Sequence, residues 1–247
     1  MSVAEPYSRL AGVYDEIVVD PCYPDWAVFL LDLWAADPEG VRTVLDVCCG
    51  TGLLTAELAS AGLDVVGVDS SPEMLFRARA LLGPDVRLEQ QVMPHLDVDG
   101  PFDAAISTFD GLNYLTLAEL QATFAAVAER LRPGGWLVFD VHTDAMMTFI
   151  LDNPVVSGED AGHRFVIRND IDPVTRACDT TIELTAATPD GSFTEQHRQY
   201  FHSDEQVADA LASAGFVLSA VTDEYTAEPA DPGTLRATWI ARRREQR

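Results

Sequence analysis

The sequence predicts an α/β fold, with a Rossmann-like, mostly parallel sheet of seven strands, helices on both faces, and a small antiparallel β insertion after strand five. Two observations lead to this class. Short apolar runs such as Thr43–Val47 and Phe102–Ser107 alternate with segments of helical periodicity, which is typical of buried parallel strands joined by helices. After His142 the chain turns to Thr-, Val-, Ile- and Phe-rich segments separated by turn residues, which favours an antiparallel meander.

The N-terminal half contains most of the predicted parallel sheet. The first 40 residues are aromatic and helical in pattern, so we expect them to cover one end of the sheet. Ser71 before a proline indicates a helix N-cap, and Thr116 with Glu119 forms a capping box. The predicted strands are 43–47, 65–68, 86–89, 102–107 and 136–141, and the predicted helices are 53–61, 71–82 and 116–131.

The C-terminal half is expected to hold the insertion and the closing strands. Three β segments lie between residues 165 and 201, a helix capped by Ser203 follows, and strands at 216–222 and 235–242 close the sheet. We therefore predict three parts. Residues 1–145 form the N-terminal helical lid and cofactor half, residues 146–202 form a β insertion over the acceptor pocket, and residues 203–247 return to the core.

Charge and cysteine content exclude several classes of protein. The 247 residues include 40 acidic and 16 basic ones, all of them arginine, for a formal net charge of −24. Such a surface repels a phosphate backbone or an anionic membrane, so we expect no nucleic-acid or membrane partner. There is no secretory leader pattern and no apolar stretch of about 18–20 residues. The four cysteines form no C-x-x-C pair, so we expect a cytoplasmic protein without a metal site.

A glycine loop between a predicted strand and a helix is the most informative motif. Asp46, Gly50 and Gly52 have the spacing D-x-x-x-G-x-G, and glycines there let the backbone turn sharply beside a ligand. A dinucleotide fold needs a third glycine where this chain has Thr55, and a nucleoside-triphosphate loop needs a lysine, which the chain lacks.

S-adenosylmethionine fits the loop better, because it carries a ribose diol and a sulfonium but no phosphate. Asp69, 17 residues after Gly52 at the end of the second strand, is placed to accept both ribose hydroxyls. Asp46 adds negative charge near the cationic part of such a ligand.

Four ordered blocks at 45–52, 68–74, 102–107 and 131–140 resemble the class I S-adenosylmethionine-dependent methyltransferases, over about residues 5–145. The resemblance implies that the glycine loop packs against the methionine part, Asp69 binds the ribose, Ser70 and Met74 lie by the adenine, and Tyr14 folds over the cofactor. The family often has an acidic residue after strand three, where this chain has Val92, so Gln91 or the backbone near Met93 would take its place. The cofactor-binding set predicted in this way is Tyr14, Asp46, Cys48, Gly50, Thr51, Gly52, Asp69, Ser70, Met74, Gln91, Val92, Met93, Phe109 and Asp110.

Two blocks, 107–115 and 139–143, follow strands four and five, where the carboxyl ends of the strands would face the transferred methyl group. They resemble a small-molecule branch of the family, beside the sugar N,N-dimethyltransferases. His142 is the first candidate for a general base or a substrate-orienting group, with a hydrogen-bonded strand-end role as the alternative. Asn113 and Tyr114 are further candidates, with helix capping and core packing as their alternatives.

The insertion contributes His197, Tyr200 and His202 to its last strand. We expect the insertion to form a roof over the acceptor pocket, with strands that shape substrate choice, while solvated strand positions are the favoured interpretation of these three residues. A Mg²⁺ site of Asp110, Asn113 and Asp140 is disfavoured because no dense carboxylate cluster accompanies them.

We therefore expect an enzyme that uses S-adenosylmethionine to methylate N or O of a small-molecule acceptor, in a pocket roofed by the insertion. The alternatives are a non-catalytic cofactor-binding regulator and a protein or nucleic-acid methyltransferase. Analogy with the family also suggests a homodimer.

Overall fold

The computed structural model describes residues 4–17, 22–160, 162–186 and 191–245, which form two sheets and the helices that cover them. Seven strands make the central sheet in the order β10-β11-β5-β4-β1-β2-β3. Strands β1 to β5 pair in parallel, and β11 runs antiparallel between β5 and β10. This confirms the predicted mostly parallel, seven-stranded α/β fold. The strands are β1 Thr43–Val47, β2 Asp64–Asp69, β3 Arg87–Gln90, β4 Phe102–Ser107, β5 Leu131–His142, β10 Phe216–Asp223 and β11 Arg236–Arg243.

Helices cover both faces of this sheet because the buried strands present apolar side chains to both sides. Val44 and Ile106 face a cluster that includes Trp26 and Leu30 of α2. Leu45 faces the opposite cluster, which is filled by side chains of α5 and α7. The helices are α1 Tyr14–Ile17, α2 Tyr23–Ala35, α3 Leu53–Ser60, α4 Pro72–Leu82, α5 Leu117–Arg130, α6 Asp144–Asp152 and α7 Asp204–Ser213. Within the described ranges, no helix combines the length and the apolar character needed to cross a membrane.

The helix starts follow the predicted caps. The Ser71 hydroxyl accepts a hydrogen bond from the Met74 N–H, and Thr116 forms a complete capping box with Glu119. Ser203 caps α7 in the same way. Strand β5 begins at Leu131 and not at residue 136 as predicted, because Leu131 already pairs with Phe102 of β4.

The second sheet is antiparallel in the order β6-β7-β8-β9, and its strands are β6 Val155–Asp160, β7 His163–Asp172, β8 Ala177–Thr185 and β9 Phe193–Tyr200. The sequence predicted β7, β8 and β9 but neither β6 nor α6. The N-terminal segment reaches this sheet, because Ala4 forms a parallel bridge with Glu195 of β9.

Strand order reverses beside β1, where β4 and β2 lie on opposite sides of it. In open α/β sheets the crevice at such a point is the usual ligand site. The loops after β1 and β4 touch there, because a Cβ added at Gly111 would lie 2.8 Å from the Cβ of Cys48.

Candidate active site

A cavity of about 670 Å³ lies at the carboxyl ends of β1, β2 and β4. Its walls come from the glycine loop, the β2–α4 turn, the loops after β3 and β4, and the N-terminal segment. The lining residues are Glu5, Pro6, Tyr7, Ser8, Tyr14, Tyr23, Cys48, Cys49, Gly50, Thr51, Leu53, Leu54, Val68, Asp69, Ser70, Ser71, Pro72, Glu73, Met74, Gln91, Val92, Met93, Thr108, Phe109, Gly111, Tyr114, Leu115 and Glu119.

Most of the predicted cofactor-binding residues meet in this cavity. Those that line it are Tyr14, Cys48, Gly50, Thr51, Asp69, Ser70, Met74, Gln91, Val92, Met93 and Phe109. Asp46, Gly52 and Asp110 are absent from the lining, although each supports a loop that forms part of it. Of the three predicted catalytic residues, Tyr114 lines the cavity, whereas Asn113 and His142 do not.

The glycine loop has the backbone that its sequence predicts. Gly50 and Gly52 have φ angles of +56° and +82°, values that L side chains rarely adopt. A Cβ at Gly52 would lie 2.8 Å from Cδ1 of Leu82 in α4. Gly52 is therefore required for close packing of the loop on α4, and not for direct contact with a ligand.

Asp69 lies in the cavity wall, between the glycine loop and the β2–α4 turn. Its carboxylate accepts hydrogen bonds from the backbone N–H of Gly50 at 2.9 Å and of Ser71 at 2.8 Å. Burial raises the pKa of Asp69, and these backbone donors oppose that effect. The carboxylate thus joins the glycine loop to the β2–α4 turn and lines the cavity where a ribose diol or a cation would meet it.

Asp46 lies behind the loop. It is buried, and the Thr55 hydroxyl of α3 donates to its carboxylate at 2.5 Å. Burial, with a smaller contribution from the nearby Asp69, raises the pKa of Asp46 to about 7, although the Thr55 hydrogen bond opposes this. We expected Asp46 to put charge near the ligand, but in the structure its carboxyl group faces α3.

The turn after β4 is strained and is held by Asp140. Phe109 and Asp110 both have left-handed backbone, with φ angles of 60° and 54°. The Asp140 carboxylate accepts from the N–H of Phe109 at 2.8 Å and of Asp110 at 2.5 Å, and from the Tyr225 hydroxyl at 2.9 Å. Strain of this kind is common beside ligands, and here it aims Phe109 into the cavity.

The three residues of the disfavoured magnesium site already accept hydrogen bonds from other groups of the protein. Asp140 is engaged as described, and Asp110 accepts from the Gln199 amide at 2.6 Å. In the part of the chain that the structure describes, no group of three His, Cys, Asp or Glu side chains is placed to hold a metal ion.

His142 and Asn113 serve the framework around the cavity. The Asn113 side chain donates to the carbonyl of Tyr200 at 2.8 Å and accepts from the backbone N–H of His142 at 3.0 Å. The His142 ring stacks on Phe201, and its Nε2 lies 3.8 Å from the Asp110 carboxylate. The ring is absent from the cavity lining, and its buried Nδ1 has no hydrogen-bond partner among the described residues, so the structure supports neither the catalytic role nor the hydrogen-bonded strand-end role of the His142 side chain.

A hydrogen-bonded chain of four side chains leads from the cavity into the second sheet. The Tyr7 and Tyr114 hydroxyls, both in the lining, are 2.7 Å apart. Tyr114 Oη is 2.9 Å from Nδ1 of His197, and Nε2 of the same ring is 3.2 Å from the Glu195 carboxylate.

The sequence interpretation missed Tyr7, Glu195 and this role of His197. We favoured solvated positions for His197 and His202, and this is wrong, because both side chains are buried. A signal was present, since residues two apart on a strand share a face, which places Glu195 and His197 together. Their tyrosine partners are distant in the chain, so spacing could not reveal them.

The charge of the cavity wall has one sign. Among the described residues that line the cavity, Glu5, Asp69, Glu73 and Glu119 are acidic and none is basic. This wall fits a ligand that carries a sulfonium, an ammonium and a ribose diol. It does not fit the phosphates of a dinucleotide or a nucleoside triphosphate.

Comparison with known proteins agrees with this geometry. A family model described as a methyltransferase domain matches residues 44–135. The putative methyltransferase YqeM of Bacillus subtilis is 31% identical over 226 residues, which cover 89% of this chain and 90% of YqeM.

Solved structures agree as well. A crystal structure of an S-adenosylmethionine-dependent methyltransferase from Clostridium acetobutylicum superposes with a TM-score of 0.86 at 24% identity, covering 96% of this chain and 99% of that one. CalS10 with bound S-adenosylmethionine, an amino pentose methyltransferase from Micromonospora echinaspora, superposes with a TM-score of 0.70 at 26% identity, covering 90% of this chain and 91% of that one.

A class I fold, with a cavity whose described lining has acidic residues and no basic one, is that of an enzyme that uses S-adenosylmethionine. The chain belongs to the S-adenosylmethionine-dependent methyltransferases, and its cofactor is S-adenosylmethionine, as the sequence predicted.

Proposed function

We propose that this enzyme methylates a nitrogen or oxygen atom of a small molecule that is neutral or positively charged. The observation that carries the proposal is the cavity wall, which has four carboxylates and, among its described residues, no basic group. Asp69 is half-buried, whereas Glu5, Glu73 and Glu119 are exposed and partly screened by solvent. Together these charges attract a cationic amine and repel a phosphate-bearing acceptor.

The cofactor end of the cavity would be formed by Asp69, the glycine loop and the segment 91–93. When bound there, S-adenosylmethionine supplies an activated methyl group on a sulfonium. The task of the protein is then to align the acceptor and to exclude water. We assign the ribose hydroxyls to Asp69 and the adenine to Met74, and the presence of both residues in the lining supports this assignment.

We assign the acceptor end to the region beneath Tyr7 and Tyr114. The N-terminal segment covers this end, and three of its backbone N–H groups are bound to Glu195 of the second sheet. The β insertion therefore supports the roof of the pocket through β9. A partly covered pocket of about 670 Å³ favours a small acceptor over a folded protein or a nucleic acid. Amino sugars are the first class to try, because CalS10 is an amino pentose methyltransferase.

The test combines calorimetric titration with methyl transfer. The purified protein is titrated with S-adenosylmethionine and, separately, with NAD, and we expect micromolar binding of the first alone. Radiolabelled S-adenosylmethionine is then offered with free amino sugars, phenols, a nucleotide-linked amino sugar, total RNA and a denatured protein mixture. We expect label in the amino sugars or phenols.

Two matched variants localise the binding. Asp69→Ala should weaken S-adenosylmethionine binding at least about tenfold, because a charge-assisted hydrogen bond contributes roughly 1.5–3 kcal/mol. Asp64→Ala, at the exposed start of the same strand, should leave the affinity unchanged. Label that enters only RNA or protein would contradict the proposed acceptor class, and equal affinities of the two variants would remove the ribose role of Asp69.

A further inference from the structure

The chain from Tyr7 to Glu195 has one consistent direction of hydrogen bonding. The Glu195 carboxylate accepts from the backbone N–H of Tyr7 at 2.9 Å, of Arg9 at 2.6 Å and of Leu10 at 2.8 Å. It is fully buried, and although burial opposes ionisation, hydrogen bonds from His197 and from these three backbone groups lower the pKa of Glu195. Glu195 is therefore an acceptor in all of its contacts.

This fixes the roles of the other three groups. Because Glu195 only accepts, Nε2 of His197 carries a hydrogen, and in the neutral ring, which has a single hydrogen, Nδ1 then presents a lone pair. Tyr114 must then donate to Nδ1 at 2.9 Å, and its oxygen accepts from the Tyr7 hydroxyl at 2.7 Å. The remaining lone pair of the Tyr7 oxygen is left for a group inside the cavity that Tyr7 lines.

The two tyrosines are suited to pass a proton and not to keep it. Burial is the main cause that raises the pKa of Tyr7 and of Tyr114 well above the ordinary tyrosine value, so neither is stable as a phenolate. His197 is the first group along the chain that offers a lone pair on nitrogen, and its other ring nitrogen, Nε2, is 3.2 Å from the Glu195 carboxylate.

We propose that His197, positioned by Glu195 and reached through Tyr114 and Tyr7, takes up the proton that the acceptor loses when it is methylated. As the acceptor lone pair forms its bond to the methyl carbon, the acceptor proton moves to the Tyr7 oxygen. The Tyr7 proton moves to Tyr114, and the Tyr114 proton moves to Nδ1 of His197. The electron pair of the broken bond stays on the sulfur of the donor, so charge and atoms balance.

This role rests on the proposed function, since it needs in this cavity an acceptor that must lose a proton in order to react, such as a hydroxyl group or a protonated amine. It replaces His142 as the proton-accepting histidine. His142 stacks on Phe201 outside the lining, whereas His197 is hydrogen-bonded to Tyr114, which lines the cavity.

The first test compares a phenol with the matching aniline as acceptors. A phenol must lose its proton to react, whereas a neutral aniline attacks without a base. His197→Gln and Tyr114→Phe should each lower turnover on the phenol about 100-fold, in the usual range for a lost proton-transfer group. Turnover on the aniline should change less than about threefold, and S-adenosylmethionine affinity should match the unmodified enzyme.

His202→Gln is the matched control. His202 is also buried, but its Nε2 bonds to the Leu115 carbonyl at 2.9 Å and not to the tyrosine chain. We expect the phenol-to-aniline ratio of this variant to stay unchanged. Equal losses on both acceptors in His197→Gln would show a purely structural role, and unchanged turnover on the phenol would overturn the proposal directly.

The second test needs no acceptor, so it separates failure of this proposal from failure of the proposed function. Two-bond proton–nitrogen NMR of ¹⁵N-histidine-labelled enzyme with S-adenosylhomocysteine, at pH 8, reports which ring nitrogen carries the hydrogen. His197 is assigned by the signal lost in His197→Gln. We expect an unprotonated Nδ1. A protonated Nδ1 could not accept from Tyr114 and would overturn the relay, even if phenol and aniline both proved unreactive.

Discussion

Asp46 and Asp69 belong to neighbouring parallel strands, yet their carboxyl groups have different surroundings. Asp69 ends β2 and meets two backbone N–H donors at the cavity wall. Asp46 lies one residue before the end of β1, so its side chain turns inward to Thr55. Since one position along a strand exchanges the faces, two similar acidic residues can have unrelated roles.

The buried position of Asp46 predicts a pH dependence of stability. Its pKa in the folded protein is about 7, above the value of about 4 in an unfolded chain. The folded state therefore holds this proton more tightly, and the resulting stabilisation, present at low pH, is lost as the pH rises from about 4 to about 7. The loss is at most roughly 4 kcal/mol.

Urea unfolding of the cofactor-free protein at pH 5 and pH 8 measures this effect. Asp46→Asn resembles the protonated acid. The unfolding free energy of this variant, relative to that of the unmodified protein, should therefore be higher at pH 8 than at pH 5. Asp64→Asn is the exposed control and should show no such change. If the unfolding free energies of Asp46→Asn and the unmodified protein differ by the same amount at both pH values, the pKa of Asp46 is not raised by folding.

Residues fixed by local geometry were predictable, and residues fixed by distant partners were not. The positive φ of Gly50 and Gly52 and the strand-end position of Asp69 follow from a few neighbouring residues. Glu195 binds the backbone of Tyr7, 188 positions away, and the His142 ring stacks on Phe201. Periodicity carries no information about such contacts, which depend on how the insertion folds back over the sheet.

At the scale of elements, helices with strong caps were found and weakly signalled elements were missed. Thr116 and Ser203 each begin a helix with a complete capping box, and both helices lie where predicted. Strand β6 was missed because it is an exposed edge strand with no apolar alternation. Helix α6 has a Thr143 cap but no acidic or amide partner at its third position, so its start signal was weaker.

The attachment of the N-terminal segment to β9 gives a prediction about local opening. Glu195 binds three backbone N–H groups of this segment, so Glu195→Ala leaves them without their acceptor. We expect amide exchange at positions 7, 9 and 10 to become at least about tenfold faster, since each lost bond to a charged group is worth roughly 1.5–3 kcal/mol.

Hydrogen exchange read by mass spectrometry compares this variant with Gln196→Ala, an exposed position next in the same strand. The control should leave exchange in the N-terminal segment unchanged, and neither variant should alter exchange in β1 or β4. Unchanged protection at positions 7–10 in Glu195→Ala would mean that packing, and not the carboxylate, holds the segment.

For the whole molecule, the excess of 40 acidic over 16 basic residues is the dominant electrostatic fact. Two of the arginines, Arg132 and Arg242, form a cluster of ion pairs with acidic residues. Arg132 binds Asp37 at 3.0 Å and Asp103 at 2.9 Å, and Arg242 reaches Asp37 at 3.0 Å while stacking on Trp136. These pairs join the loop between α2 and β1, and strand β4, to β5 and β11, so local attraction opposes a general repulsion.

The general repulsion should dominate the response to salt. Raising NaCl from about 0.05 M to about 0.5 M shortens the screening length to a few ångströms, which weakens long-range repulsion more than close, half-buried pairs. We expect the free energy of unfolding to rise with NaCl. An equal concentration of a neutral osmolyte is the control, and a fall in stability with NaCl would show that the Arg132 cluster outweighs the net charge.

The internal position of β11 also has a consequence for how the protein is made. Residues 236–243 lie between β5 and β10 in the sheet. The edge of β5 that faces away from β4 therefore has no partner strand until these residues leave the ribosome. Nearly the whole cofactor site is synthesised before that moment, yet its sheet stays open on one side. An open edge of apolar strand invites mispairing with other chains. Nascent chains of this enzyme should therefore depend on chaperones until the final strand is inserted, and truncation before residue 236 should yield aggregates instead of a smaller folded domain.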